Sequence, residues 1–450
     1  MAVHPIDYRY GSQEMRALFE ETNLHAKKLA VEAALAEVLA EKGFIPREAA
    51  ATITANARPE IVTVERVKQL EAETKHDIMA LVKALTEVCG EAGKYVHLTA
   101  TSYDIVDTAL ALVLRDALGL IVRKAKLLLG ELLNLAEKHR STVMVGRTHG
   151  QHAIPITLGF KLANYADKLG DDTRRLEEDK ERYIVGKFSG AVGTYAAQQL
   201  LGLGDEIERG VMQKLGIPVA YISTQVVPRE HLARIVADLA ILAGTIEQMA
   251  KEVRNLQRTE IGEMGESFGK GQVGSSTMAQ KRNPINAENI CSNVRIIRSC
   301  VGPALENIAL EHERDLTNSA AERSLLPTVF VLTDEILDRS RKVWAGIDIS
   351  EERMRQNLDM SRGALMAERI ITELVRHGMG RQDAHELLRE SSNQALAQNT
   401  DIKSILIRSK AMNFLRTDEL DGLLDYRSYT GLAEKKVDDV VARWRGLAKS

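Results

Sequence analysis

Apolar side chains recur every three to four residues along most of this chain, a period that predicts helices rather than strands. In REHLARIVADLAILAGTIEQMAKEVRNLQRTEIGEM (229–264), Leu232, Ile235, Val236, Leu239, Leu242, Ile246, Met249, Val253 and Leu256 all fall at helical spacing. IVDTALALVLRDALGLIVRKAKLLLGELLNLAEKH (105–139) is apolar nearly all round, which fits a helix buried on several sides. Thr101, with Asp104 three residues on, reads as a capping box that opens it. PITLGFKLANYADKLGDDTRRLEEDKERY, PINAENICSNVRIIRSCVGPALENIALEHER (kinked at Pro303) and ERSLLPTVFVLTDEILDRSRKVWAGI predict three more long helices. Helices of this length cannot all bury so much apolar surface within a single chain. The pattern therefore predicts a helical bundle that completes its core by oligomerising.

Shorter periodic segments flank the bundle. RYGSQEMRALFEETNLHAKKLAVEAALAEVLAEKG predicts a long amphipathic stretch ended by Gly43, and PREAAATITANA and VTVERVKQLEAETKHDIMALVKALTEVCGEAG predict further helices. Within the last, Thr74-Lys75-His76-Asp77 interrupts the rhythm and reads as a solvated helix face. GRTHGQHAIPI, GKFSGAVGTYAA and YISTQVV read as connections that hold the polar and glycine residues the helices lack. From about residue 350 several shorter helices run to near Lys449. The organisation expected is 1–104, 105–350 and 351–450.

Composition narrows the function. The chain has 450 residues, 27% charged, with a formal net charge of −3, which lacks the basic signature of a nucleic-acid binder. Aromatics at 4% argue against a β-rich fold. Cys89, Cys291 and Cys300 show neither metal spacing nor a disulfide framework, which predicts a reducing, cytoplasmic setting. The most apolar run, 109–122, is broken by Arg115 and Asp116, so no membrane span or secretion signal is expected.

The sharpest break in the helical pattern is GKGQVGSSTMAQKRNP (269–284). Gly269, Gly271 and Gly274 cost backbone entropy in a helix but suit a loop that closes over a ligand. The same glycines fit G-x-G-x-x-G, yet that fingerprint requires a preceding strand, and EVRNLQRTEIGEM reads as helical, so a nucleotide-cofactor reading is set aside. Asn283 as N-cap and Pro284 at the first helical position predict a helix start. Lys281, Arg282 and the positive end of that helix then converge as an anion site. A plain flexible surface loop is the alternative.

Two other stretches carry candidate chemistry. His149 lies in Gly146-Arg147-Thr148-His149-Gly150-Gln151-His152; no acidic or cysteine ligand is close in sequence, so a metal site is not expected. His149 reads either as a general acid or base, or as a loop histidine satisfied by backbone. The charge-dense run Glu311 to Ser319, with Glu322 and Arg323, reads as a salt-bridge network at the end of a bundle helix or as a polar site for an anionic substrate.

Taken together, Arg9-Tyr10 with Met15, TKHD (74–77), TSYD (101–104), GRTHGQH (146–152), STQ (223–225), GSSTMAQKRNP (274–284) and HERDLTNSAAER (312–323) resemble the adenylosuccinate lyase family of the fumarase/aspartase superfamily. They occur in that family's order over most of the chain. GSSxMxxKxNP marks the superfamily; TKHD, RTHGQH and HERD narrow it to this branch. The resemblance implies an all-α, fumarase/aspartase-like three-domain protomer and a homotetramer around a twenty-helix core. Its active sites would be shared between subunits, with no metal or organic cofactor. It implies elimination of fumarate from adenylosuccinate and from succinylated aminoimidazole carboxamide ribotide (SAICAR).

That chemistry accounts for the residue types. Removing the weakly acidic Cβ hydrogen of a succinyl group makes an aci-carboxylate dianion, so cations and donors must converge on it. The resemblance assigns Ser275 as the base, Lys281 and Asn283 as stabilisers of the developing charge, and His149 as the proton donor to the leaving nitrogen. His76 would line the phosphate or assist His149. Ser275 would be activated by desolvation beside Lys281 and the helix N-terminus. Arg9, Tyr10, Arg314, Ser319 and Arg323 are implied at the nucleotide phosphate or ribose, with Lys75 and Asp77 lining that pocket. Thr101, Ser102, Thr148, Gln225 and Ser276 are implied as donors to the succinyl carboxylates, and Arg282 and Asn289 as further substrate contacts. Two positions depart from the family: Ala279-Gln280 replaces a usual proline and histidine, and Ala320 replaces a usual serine. The first change should leave the loop less pre-organised. Sister activities on this fold, argininosuccinate lyase or a carboxymuconate cycloisomerase, are the alternatives, and a non-catalytic relative a further one.

Overall fold

The computed structural model describes residues 4–269, 277–278 and 280–449. The fold is all-α and fumarase-like, with helices from Gln13 to Lys449 and, among the described residues, two short antiparallel strand pairs. The chain divides into two compact units. The first comprises Met1–Ala125, Asp172–Gly244 and Ser292–Asp338; the second comprises Lys126–Asp171, Thr245–Cys291 and Arg339–Ser450.

The long helices form where the apolar period predicts them, at Ser102–Lys138, Leu158–Tyr183, Arg229–Leu256 and Thr317–Ala345. Of the nine apolar positions assigned to the 229–256 face, Leu232 is half-buried and the others are buried. In the first unit, Gln13–Phe19 and Glu21–Glu41 replace the single predicted stretch, and Gly43 follows in the left-handed region at φ +80°. Polar caps fix several starts: Ser12 Oγ accepts from Met15 N, and Thr63 Oγ1 from Arg66 N, both at 3.2 Å.

Four expectations need correction. Thr74-Lys75-His76-Asp77 is not a helix face: Val64–Thr74 ends there, Lys75 takes the left-handed conformation (φ +56°), and Asp77–Cys89 begins. GRTHGQHAIPI is not an open connection but a hairpin, Val143–Thr148 paired with Gln151–Thr157, so the next helix starts at Leu158 rather than Pro155. The helix after the glycine-rich segment breaks at Cys300, not at Pro303, giving Ile285–Ser299 and Val301–Glu306. Pro303 lacks an N–H and its ring meets the carbonyl of residue i−4, which is Ser299, so the helix stops there. Finally, the charged run 311–316 sits before Thr317–Ala345, at a helix start rather than at a helix end.

In the second unit, residues 366–423 build a core of their own around Ile370, Leu374, Leu388, Ile402, Leu406 and Leu420. The hairpin packs on Glu351–Met360, and Met264–Gly265 pairs antiparallel with Asp348–Ile349. No helix among the described residues is long and apolar enough to cross a membrane.

Candidate active site

In the second unit the hairpin presents His149. Thr148 pairs with Gln151, leaving His149 and Gly150 as a two-residue loop with φ of +54° and +75°. Positive φ at both central positions defines a type I′ turn, whose twist matches the flanking strands. Glycine adopts it at no steric cost; a histidine does not, and such strain is typical of functional loops. Thr148, His149 and Gly150 are all exposed.

The stem is held below the tip. Arg147 donates through Nη1 to Glu263 Oε2 at 2.9 Å and through Nη2 to Oε1 at 2.7 Å, a bidentate pair on a fully buried carboxylate. Asn357 Nδ2 donates to the same Oε1 at 2.7 Å. His152 is held below the usual histidine range by burial and then by the Arg147 charge.

The expected helix cap is displaced by one residue. The helix starts at Ile285, and the carbonyl of Pro284, not of Asn283, accepts the first full-turn bond, from Glu288 N at 2.9 Å. Its N-terminus is also occupied. Glu266 Oε1 accepts from Ala287 N at 2.7 Å, and Oε2 accepts from Asn286 N at 3.3 Å and Asn286 Nδ2 at 2.8 Å. A carboxylate of the chain itself therefore takes the place expected for a substrate anion. Lys281, Arg282 and Asn283 line a cleft of about 720 Å³ with Arg254, Arg258 and Ser350. The Arg282 guanidinium lies 5.6 Å from the Phe268 ring centroid. Ser275, Ser276 and Ala279 lie outside the described residues; Asn289 is half-buried on Ile285–Ser299.

The first unit brings together a separate set. Gln225 and Arg314, 89 residues apart, meet directly: Arg314 Nη1 donates to Gln225 Oε1 at 2.6 Å. The Arg314 guanidinium stacks 3.7 Å from the Tyr103 ring centroid. Arg323 Nη2 donates to Ser319 Oγ at 3.0 Å, one turn away on the same helix. The salt-bridge reading of the 311–323 run holds for Glu322. Glu322 is buried within a network, its Oε1 3.0 Å from Arg229 Nε, while Arg229 also makes a bidentate pair with Asp107 at 2.8 and 2.9 Å. Arg314 and Arg323 face outward from that network or stack on Tyr103.

Thr101 and Ser102 open the Ser102–Lys138 helix, and Asp104 Oδ2 accepts from Thr101 N at 2.8 Å. Asp104 also holds the fully buried Lys187 Nζ at 2.5 Å, and burial pushes its carboxyl up against that pull. His76 caps Asp77–Cys89, its Nδ1 accepting from Met79 N at 3.3 Å, so the Nε2 edge is the one available to a ligand. Lys28 Nζ lies 3.6 Å from Asp77. Arg9 and Tyr10 follow the Pro5–Asp7 turn; Arg9 is exposed and Tyr10 half-buried.

Several residues here escaped the sequence reading. Glu266, Glu263 and Lys187 sit in helical or loop sequence with no motif of their own. His97 (φ +62°) and Thr99 (φ +67°) precede TSYD in the left-handed region, which is costly for a β-branched threonine. His97 Nδ1 lies 2.6 Å from Glu32 Oε1; burial lowers the imidazole, but that carboxylate holds it above the usual range overall. No spacing announces that pair, because its members are 65 residues apart.

The class of this helical fold is that of a lyase: a family model described as "Lyase" matches residues 3–297. The chain belongs to the adenylosuccinate lyase family: a second model, "Adenylosuccinate lyase C-terminus", matches residues 363–440. A curated adenylosuccinate lyase from Pyrococcus abyssi is 48% identical over 445 residues, covering 98% of each chain. An N-acetyl-S-(2-succino)cysteine lyase from Dickeya dadantii is 37% identical, again over 98% of both. Among solved structures, the 3-carboxy-cis,cis-muconate lactonizing enzyme from Pseudomonas putida superposes with a TM-score of 0.90 at 32% identity, covering 98% of this chain and 99% of that one.

Proposed function

We propose that this chain eliminates fumarate from adenylosuccinate to give AMP, and from SAICAR to give the free aminoimidazole carboxamide ribotide (AICAR), in purine biosynthesis. The observation that carries the reading is end-to-end likeness to adenylosuccinate lyases in a chain that keeps His149 at a strained, exposed hairpin tip. Ser275 takes the succinyl Cβ proton, the Cα–N bond breaks with its electron pair going to the purine nitrogen, and His149 supplies that nitrogen with a proton. Lys281 and Asn283 stabilise the dianion that forms between the two steps. Because Glu266 occupies the N-terminus of Ile285–Ser299, Lys281 rather than the helix dipole is the positive group that favours the Ser275 alkoxide.

Arg314, Arg323, Ser319, Arg9, Tyr10, Lys75 and His76 hold the nucleotide phosphate and ribose; Thr101, Ser102, Thr148, Gln225 and Ser276 hold the carboxylates. The protomer is organised as 1–104, 105–350 and 351–450, a division supported by the separate core at 366–423. It assembles as a homotetramer whose active sites draw on several subunits, supported by half-exposed apolar side chains on its helices, Leu127 (47%), Ile241 (56%) and Ile296 (48%). A cytoplasmic setting agrees with the free, buried Cys89, Cys291 and Cys300.

The roles are tested by Ser275→Ala, which should abolish turnover while leaving substrate binding and assembly intact. Activity surviving within about tenfold, a loss of only ~1.4 kcal/mol, would remove Ser275 from the role of base.

A further inference from the structure

Beyond the residues expected to touch substrate, the second unit contains a clamp around Gln257. This residue follows the last turn of Arg229–Leu256, and its side-chain amide uses both ends. Oε1 accepts from Glu266 N at 2.9 Å, and Nε2 donates to Arg282 O at 3.0 Å. Glu266 in turn caps Asn286 and Ala287 through its carboxylate, and Asn286 Oδ1 accepts from Arg339 Nη1 at 3.0 Å. The stretch 281–284 is thereby held at both ends, by Gln257 on the Arg282 carbonyl and by Glu266 on the first turn of the helix. The approach is close: a Cβ at Gly265 would lie 2.9 Å from Gln257 Cγ. Gln257, Glu266, Lys281, Arg282 and Asn283 line the same cleft.

We propose that Gln257 is a positioning residue for the elimination, setting through its amide bridge where Lys281 and Asn283 stand relative to the succinyl group; this rests on the roles proposed above for those two residues. The amide is needed because one end must donate and the other accept. A glutamate at 257 would keep an acceptor for Glu266 N, lose the donor to Arg282 O, and set a negative charge against that carbonyl. A methionine would match the length and lose both bonds. Groups that act on charge developed in the transition state lose rate, rather than substrate affinity, when displaced.

The test is steady-state kinetics of the full-length enzyme with adenylosuccinate for Gln257→Met, Gln257→Glu and Lys281→Ala, with thermal unfolding measured alongside. Gln257→Met should lower kcat by about tenfold or more with KM within about twofold, because small misplacements of catalytic groups are costly. Gln257→Glu, nearly isosteric and the safer variant for folding, should lose rate in the same way. A kcat within about twofold of the parent in either folded variant overturns the proposal. So does a loss of kcat accompanied by an equal fractional rise in KM and a matching fall in unfolding temperature, the pattern of a merely structural residue. Lys281→Ala separates the two ideas. If it keeps parental kcat, the role assigned to Lys281 fails; if it is inactive while Gln257→Met is unimpaired, only the clamp fails.

Discussion

His149, proposed above as the proton donor, sits in a setting that makes distinct predictions. His149→Ala should reduce kcat by roughly 10²- to 10⁴-fold, the usual contribution of a general acid, with circular dichroism unchanged. A loss below about fivefold would give the proton donation to another group. The turn itself is a matter of backbone: Gly150→Ala places a Cβ at φ +75° and should cost about 1–2 kcal/mol, read as a lower denaturation midpoint. Below the tip, Arg147→Met leaves the fully buried Glu263 with Asn357 as its side-chain donor. Breaking a buried pair from one side should destabilise by about 3–5 kcal/mol in urea unfolding. His149 was readable in GRTHGQH as a loop histidine with two possible roles. What could not be read was Glu263, 116 residues from Arg147, because sequence spacing carries no information on such pairings.

Among the elements, the long apolar-periodic segments became helices close to their predicted bounds, since each summed many consistent positions. The failures came where a few residues decide. Thr74 to Asp77 has helical composition on both sides, but Lys75 adopts the left-handed region and His76 caps the next helix. The hairpin at 143–157 is too short for its period to outweigh the glycines and polar residues in it. The anion site expected at Asn283-Pro284 overlooked Glu266, whose carboxylate reaches the same N–H groups from upstream.

Between Leu158–Tyr183 and Arg229–Leu256, Asp179 makes a test of pH dependence. Burial, and next its carboxyl neighbour Asp238, push Asp179 up to about 7 from 3.8. The folded state therefore binds a proton that the unfolded chain releases near pH 4. The associated stability is full below about pH 4 and is lost as pH rises through about 7. Asp179→Asn should flatten that part of the Tm-against-pH curve and raise Tm at pH 8; an unchanged curve would contradict the assignment.

For the whole molecule, the fold class and the candidate site residues were legible because the family's motifs stand in order along the chain. Gln225 and Arg314, named from separate motifs, meet through a hydrogen bond. The proposed assembly shows in the sequence only as surplus apolar surface, and sedimentation should give a mass of four protomers of 49.8 kDa each. Relatives on this fold differ in substrate: a 37% identical one is named for a succinyl thioether. The most direct measurement is fumarate release, with kcat/KM determined side by side for adenylosuccinate, SAICAR, argininosuccinate and N-acetyl-S-(2-succino)cysteine. Turnover of both purine substrates is expected, with kcat/KM at least about 10²-fold above the other two, a difference of ~2.7 kcal/mol in transition-state binding. Turnover of argininosuccinate or the succinyl thioether with none of either purine substrate would contradict it.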